Sequence, residues 1–195
     1  MAKTPTLLYN FNENDSSTIR DYSEEGLNGV GSNLTVSASS RVGYDAVFNG
    51  TNSLLTASGL VNKVGSTTLG YFMSVNFTNT SSSVVFNHDN VLKVEWFDSR
   101  VFVSLTTSVN TYTISSGVTS LTTATFYDIT ITHSSNTLDL IIDGVYQTGT
   151  ATAGVVDAST SNDLYIGHEA GLGIIEMKLN EFKIFSTAIS ATLDL

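Results

Sequence analysis

Hydrophobic and polar positions alternate along much of the chain, most clearly in residues 126–147, FYDITITHSSNTLDLIIDGVYQ. Phe126, Ile129 and Ile131 fall among Asp128, Thr130 and Thr132. A period of two sends successive side chains to opposite faces and predicts a half-buried strand. Ser134, Ser135 and Asn136 interrupt it with turn chemistry. Leu138, Leu140 and Ile142 then share one face, with Asp139 on the other. Asp143-Gly144 follows, a dipeptide suited to a two-residue type I′ turn, because both central residues need positive φ. Val145 and Tyr146 open a third strand and complete a β-meander.

The same reading predicts further strands at 6–11, 34–36, 46–48, 69–77, 83–86, 91–97, 100–105, 112–114, 163–167 and 177–185. Asn49-Gly50 is a hairpin signal, with Leu54-Leu55 as its return. Residues 69–77, LGYFMSVNF, are apolar and aromatic enough to cross a core. Residues 12–29 read as an acidic polar loop, and 149–161 as a small-residue surface loop. Ser190 suits the cap of a last helical turn. There is no amphipathic helix of ordinary length, no internal repeat and no linker. Strands separated by turns at this spacing predict an all-β sandwich, a jelly roll of two antiparallel sheets. One domain over 1–195 is expected, with 1–5 as an N-terminal arm.

Composition narrows the function classes. The chain is 41% hydrophobic, enough for a sizeable core, and carries a net charge of −10 with only 8 basic residues. A nucleic-acid binder needs a basic stripe, so nucleic acid is not an expected partner. An anionic membrane repels such a chain, and no run reaches transmembrane length, so no membrane insertion is expected. The absence of cysteine excludes disulfides and thiolate metal sites. The opening residues lack a hydrophobic run followed by a cleavage site, so no signal peptide is expected.

Several segments resemble laminin G-like domains of the concanavalin A-like lectin/glucanase superfamily. FYDITITHSSNTLDLIIDGVYQTG is similar to their strand–turn–strand–Asp-Gly segment. DLYIGHEAG, at 163–171, resembles the following Leu-x-Ile-Gly strand. EMKLNEFKIFSTAIS, at 176–190, resembles the closing strand, usually Ile-Asp-Glu-Val-x-Ile-Tyr. LLYNFNENDSSTIRDYSEEGLNG, at 7–29, is similar to the opening strand and its Asp-containing loop, and AVFNGTNSLLT, at 46–56, to the hairpin after it. The resemblance implies a jelly roll whose opening and closing strands are neighbours. It also implies a calcium ion near the chain ends, held by Glu13, Asp21 and the closing-strand position. That position holds Asn180 where Asp is usual, which offers an oxygen without a charge.

Catalysis has little to stand on. Glucanases of this superfamily carry carboxylates at alternate strand positions, which puts them on one face. The nearest candidate, Glu95 with Asp98, has a spacing of three and leans to opposite faces. His88, His133 and His168 are scattered, and His133 falls at a strand end expected to be solvated. No catalytic residue is assigned. Glycan contact through exposed aromatics is the remaining chemistry, with Trp96, Tyr112, Tyr127 and Tyr146 as candidates and none preferred.

The expected function is therefore non-enzymatic binding or display. An acidic, lone domain without disulfides or signal suits a bacteriophage virion surface, as a capsid decoration or tail-associated protein, with capsid or tail proteins or surface glycans as partners. The alternatives are a secreted, calcium-assisted carbohydrate-binding module and, remotely, a glycosidase. Strands 83–86 and 112–114 contain no charge to guard an edge, which favours a homo-oligomer or array unless those strands are central.

Overall fold

A computed structural model describes residues 3–13, 15–80, 82–117, 120–156, 163–167 and 175–189. In chain order the strands are β1 (Leu7–Tyr9), β2 (Thr18–Ile19), β3 (Gly29–Ser32), β4 (Thr35–Ala38), β5 (Tyr44–Asn49), β6 (Leu54–Ala57), β7 (Thr68–Phe77) and β8 (Ser83–His88). They continue as β9 (Leu92–Phe97), β10 (Arg100–Thr106), β11 (Thr111–Ser115), β12 (Phe126–Ser134), β13 (Thr137–Ile142), β14 (Val145–Ala151), β15 (Leu164–Ile166) and β16 (Glu176–Phe185). The first sheet runs β14-β13-β12-β7-β16-β5-β4, with β1 also beside β16. The second runs β11-β10-β9-β8-β15-β6-β3-β2. All these pairings are antiparallel, and no helix occurs among the described residues. The opening and closing strands pair directly, Leu8 opposite Lys183.

Strand β7 explains why the sequence makes a sandwich. Leu69, Tyr71, Met73, Val75 and Phe77 alternate into the main core, and every residue after Thr68 is buried. The opposite face of β7 carries Phe72, which packs with Phe185 and Ile189 in a small second cluster. Between the sheets, Phe77 of β7 stacks on Trp96 of β9 with ring centroids 4.1 Å apart. Phe86 of β8 meets Phe182 of β16 edge to face at 5.1 Å. Each such side chain contributes about 1.5–3 kcal/mol by leaving water.

The turns follow their residue chemistry, with one surprise. Asp143 and Gly144 both have positive φ, 50° and 76°, as the β13–β14 turn requires. Asn49-Gly50 makes no hairpin: β5 lies in the first sheet and β6 in the second. Asn49 Oδ1 accepts from Thr51 N at 2.8 Å and Asn52 N at 3.0 Å, and this turn carries the chain around a corner of the sandwich. Residues 12–29 are not all loop, since β2 and the start of β3 lie within them. Nor is 149–161 all loop, because β14 continues to Ala151. Ser190 lies outside the described residues.

The expectation of bare edges is corrected in part. Strand β8 lies between β9 and β15, but β15 pairs only with Phe86–His88, and Ser83 and Val84 have their ladder partners in β9. Strand β11 is an edge, but the chain's own loop is tied to it. Tyr112 Oη accepts from Ala153 N at 3.0 Å, and Ser108 N donates to Val155 O at 2.8 Å. The residues before β1 contact the chain's own closing segment: Thr6 N donates to Ile184 O at 2.7 Å, and Lys3 Nζ donates to Ala188 O.

Asp21 latches the opening strand. Its Oδ1 accepts from Leu8 N at 2.8 Å and Ser23 N at 2.9 Å. Its Oδ2 accepts from Leu27 N and Ser23 Oγ, both at 2.7 Å. One carboxylate thus bonds β1 and folds the loop 21–27 beside it. Asp21→Ala leaves these donors without an acceptor and is expected to cost about 3 kcal/mol or more. Urea unfolding checks this; a loss below about 1 kcal/mol contradicts the latch.

Two histidines are buried, against expectation for His133. Its Nε2 lies 3.0 Å from Thr152 Oγ1, and β12 continues past it to Ser134. His88 Nδ1 lies 2.7 Å from Tyr71 Oη in the core. Burial lowers both pKa values, that of His88 to about 4. A folded pKa below the unfolded 6.5 means that the unfolded chain takes the proton first. Stability is therefore full above about pH 6.5 and falls as pH drops toward 4, with His88 accounting for about 3 kcal/mol. His88→Gln, which retains an acceptor for Tyr71, is expected to flatten that fall in urea midpoints between pH 6.5 and 4.5. An unchanged slope contradicts the assignment.

Candidate functional site

The outer face of the second sheet concentrates binding chemistry. In β9, Leu92, Val94 and Trp96 are buried, so Lys93, Glu95 and Phe97 point the other way. Residues in register across strands share a face. Glu95 opposes Phe102 and Lys93 opposes Ser104. Ser104 in turn opposes Thr113, and Thr106 opposes Thr111. On the other flank Glu95 opposes Val84 and Lys93 opposes Asn87.

Two recesses lie along this face. The first holds about 350 Å³ between Val84, Glu95, Phe97, Phe102 and Thr113. Phe97 is 53% exposed and meets Phe102 nearly edge to face, with centroids 6.0 Å apart. Asp98 and Ser99, with φ of 50° and 59°, turn β9 into β10 and hold the two rings side by side. The second recess, about 330 Å³, is polar and lies against Asn87, Asn90, Lys93, Ser104, Thr106 and Thr111. Lys93 and Glu95 form an ion pair of 3.1 Å beside both. Hydroxyl pairs line the β10–β11 flank, Ser104 with Thr113 at 3.1 Å and Thr106 with Thr111 at 3.4 Å. The face thus offers an apolar aromatic platform at one end and a row of hydrogen-bonding groups at the other.

The aromatic candidates from the sequence fare unequally. Trp96 is fully buried, with Nε1 donating to Asn79 O at 3.0 Å, so its ring is core rather than an exposed contact. Tyr112 is held by Ala153 N, and Tyr127 Oη accepts from Thr122 N at 2.9 Å. Tyr146 is 60% exposed, but on the β14 edge of the other sheet. Phe97 and Phe102 were missed, although a signal existed: each aromatic stands at a polar phase of its strand. Glu95 is occupied with Lys93, and Asp98 lies in the turn. His168 lies outside the described residues.

The three residues implied as calcium ligands have separate bonding partners. Asp21 spends both oxygens on the latch, and four donors fill the lone-pair sites of a carboxylate. Glu13 accepts from Arg20 N and, at 3.1 Å, from Tyr22 Oη. Asn180 points into the β4–β5 turn. Its Nδ2 lies 3.1 Å from Ser39 Oγ, 2.9 Å from Val42 O, 3.2 Å from Tyr44 O and 3.0 Å from Asp45 Oδ1. Those four oxygens are the donor type that calcium takes, but an amide nitrogen already stands among them. As arranged, the implied set does not fit the ion. No group of three His, Cys, Asp or Glu side chains able to share a metal occurs among the described residues. No helix among them is long and apolar enough to cross a membrane.

Comparison with known proteins agrees with the architecture. No curated protein matches the sequence significantly. The binding domain of Paraclostridial Mosquitocidal Protein 1 superposes with a TM-score of 0.79 at 13% identity, over 96% of this chain and 50% of that one. The botulinum neurotoxin serotype G binding domain does so at 0.77 and 16%, over 96% and 49%. This chain therefore spans about half the length of those two domains. Domain 4 of AbnA, a GH43 extracellular arabinanase from Geobacillus stearothermophilus solved with arabinotriose, gives 0.75 and 17%, over 97% and 96%. A laminin G family model, described as Concanavalin A-like lectin/glucanases superfamily, matches residues 48–192, and the chain belongs to that family.

Proposed function

We propose that the domain is a non-catalytic carbohydrate-binding module that seats a glycan on the outer face of its second sheet. The observation that carries this reading is the pairing of Phe97 with Phe102 beside the polar row Lys93, Ser104, Thr106, Thr111 and Thr113. A sugar ring has an apolar C–H face and a rim of hydroxyls. The first needs a flat aromatic surface, and the second needs oriented donors and acceptors. Six residues of β9 span roughly 17–20 Å, room for a short oligosaccharide. The arabinotriose bound by domain 4 of AbnA supports the reading by analogy of fold.

Attachment of this module to a bacteriophage capsid or tail remains the proposed location, with a secreted module as the alternative. The support is in the sequence: an acidic chain with a net charge of −10 and no cysteine. The edge strands add little to it, because β15 covers β8 along Phe86–His88 and the Tyr112 side chain of β11 holds a loop of its own chain. Co-purification with particles supports display, and recovery solely as free protein from culture supernatant supports the secreted module.

Titration against arabinan, β-glucan, galactan and sialylated oligosaccharides tests the binding reading. Phe97→Ala and Phe102→Ala are each expected to weaken the best ligand about tenfold or more while leaving the melting temperature nearly unchanged. Binding that survives both substitutions, or turnover of any of these glycans, overturns the reading.

A further inference from the structure

The contacts of Asn180 carry an inference independent of the glycan face. Along β16, Leu179 opposes Val75 of β7 and Glu181 opposes Ser74, so Asn180 is the extra residue of a β-bulge. Pairing of β16 with β5 ends at Leu179 opposite Ala46. The bulge therefore aims the Asn180 side chain past the end of that ladder, into the turn that joins β4 to β5.

Four oxygens converge there on one nitrogen. Two are main-chain carbonyls, of Val42 and Tyr44; the others are Ser39 Oγ and Asp45 Oδ1. An amide nitrogen carries two hydrogens, fewer than the acceptors around it. Asp45 is only 1% exposed, and no ion pair among the described residues reaches it. A buried carboxylate is tolerated when a positive group or well-placed donors face it. Here the Asn180 amide is the donor that faces it. The slot opens beside a recess of about 410 Å³ lined by Asn10, Asn12, Arg41, Val42, Asn180 and Glu181.

We propose that a side-chain amide does here the work that a structural cation would do in an oxygen-lined slot. Asn180 Nδ2 fills an oxygen-lined slot that suits a calcium-type ion in charge and donor type, and it holds the β4–β5 turn to β16 without one. The domain is then indifferent to calcium. An acid at position 180 reverses this, because it brings a second carboxylate against Asp45 and removes both hydrogens. Two carboxylates, two carbonyls and a hydroxyl repel one another unless a hard cation lies between them.

The test compares the wild-type chain with Asn180→Asp, in chelator and in millimolar calcium, by thermal unfolding and by terbium luminescence. The wild type is expected to melt at the same temperature in both and to give no saturable terbium signal. Asn180→Asp is expected to melt lower in chelator, to gain about 5 °C or more with calcium, and to bind terbium in competition with calcium. Calcium that raises the melting temperature of the wild type, with the rise lost in Asp45→Asn, overturns the proposal. So does an Asn180→Asp protein that folds and ignores calcium. Should that variant fail to fold in either condition, the wild-type titration decides alone.

Discussion

The structure depends on one strand being buried on both faces. Strand β7 is clamped between β12 and β16 and buried along its length after Thr68. Its inward side chains reach the second sheet, where Phe77 stacks on Trp96 and Tyr71 lies 5.4 Å from Phe86. Its other face holds Phe72 against Phe185 and Ile189, which ties the end of the closing strand to the sheet. Since Phe77 fixes Trp96, it fixes the phase of β9, and that phase is what turns Lys93, Glu95 and Phe97 outward. The proposed binding face is thus set by packing on the other side of the same strand.

Polar groups finish what the core begins, and they do so locally. The Asp21 carboxylate organises the loop after β1, the Asn49 side chain shapes the corner between sheets, and the Asn180 amide pins the β4–β5 turn. Each is a short side chain that faces main-chain groups at or beside a turn. A fold this rich in turns needs such partners because unpaired main-chain groups are costly once shielded from water. The same economy of charge leaves few ion pairs, and the Lys93–Glu95 pair sits on the face where it is available to a ligand.

Much of this was legible in the sequence, and the failures have physical causes. Alternation marked the meander, and burial follows it along β13, whereas Ile129 to His133 of β12 are buried on both faces; Asp143-Gly144 marked the turn because few other residues accept φ of 50° and 76°. Asn49-Gly50 misled, because a turn dipeptide states that the chain bends and not which sheet receives it. His133 read as a strand end, but Thr152, nineteen residues on, buries it and supplies its hydrogen bond. Trp96 reads in the sequence as either a glycan contact or core, and stacking on Phe77 across the sandwich makes it core. The acid at Asp21 stands out in the sequence, but its partners, Leu8 N, Ser23 and Leu27 N, are visible only in the fold. Phe97 and Phe102 each stand at a polar phase of their strands, which marks them as outward, but only the register of β9 and β10 places them side by side.

Glycan binding is proposed for the outer face of the second sheet. Amide chemical-shift mapping during titration with the best-binding oligosaccharide tests it most directly. The account predicts saturable shifts concentrated at Lys93, Glu95, Phe97, Phe102, Ser104 and Thr113, with Val145 and Tyr146 on the far sheet unmoved. Shifts confined to the β13–β14 turn, or to the β4–β5 turn around Asn180, would contradict it.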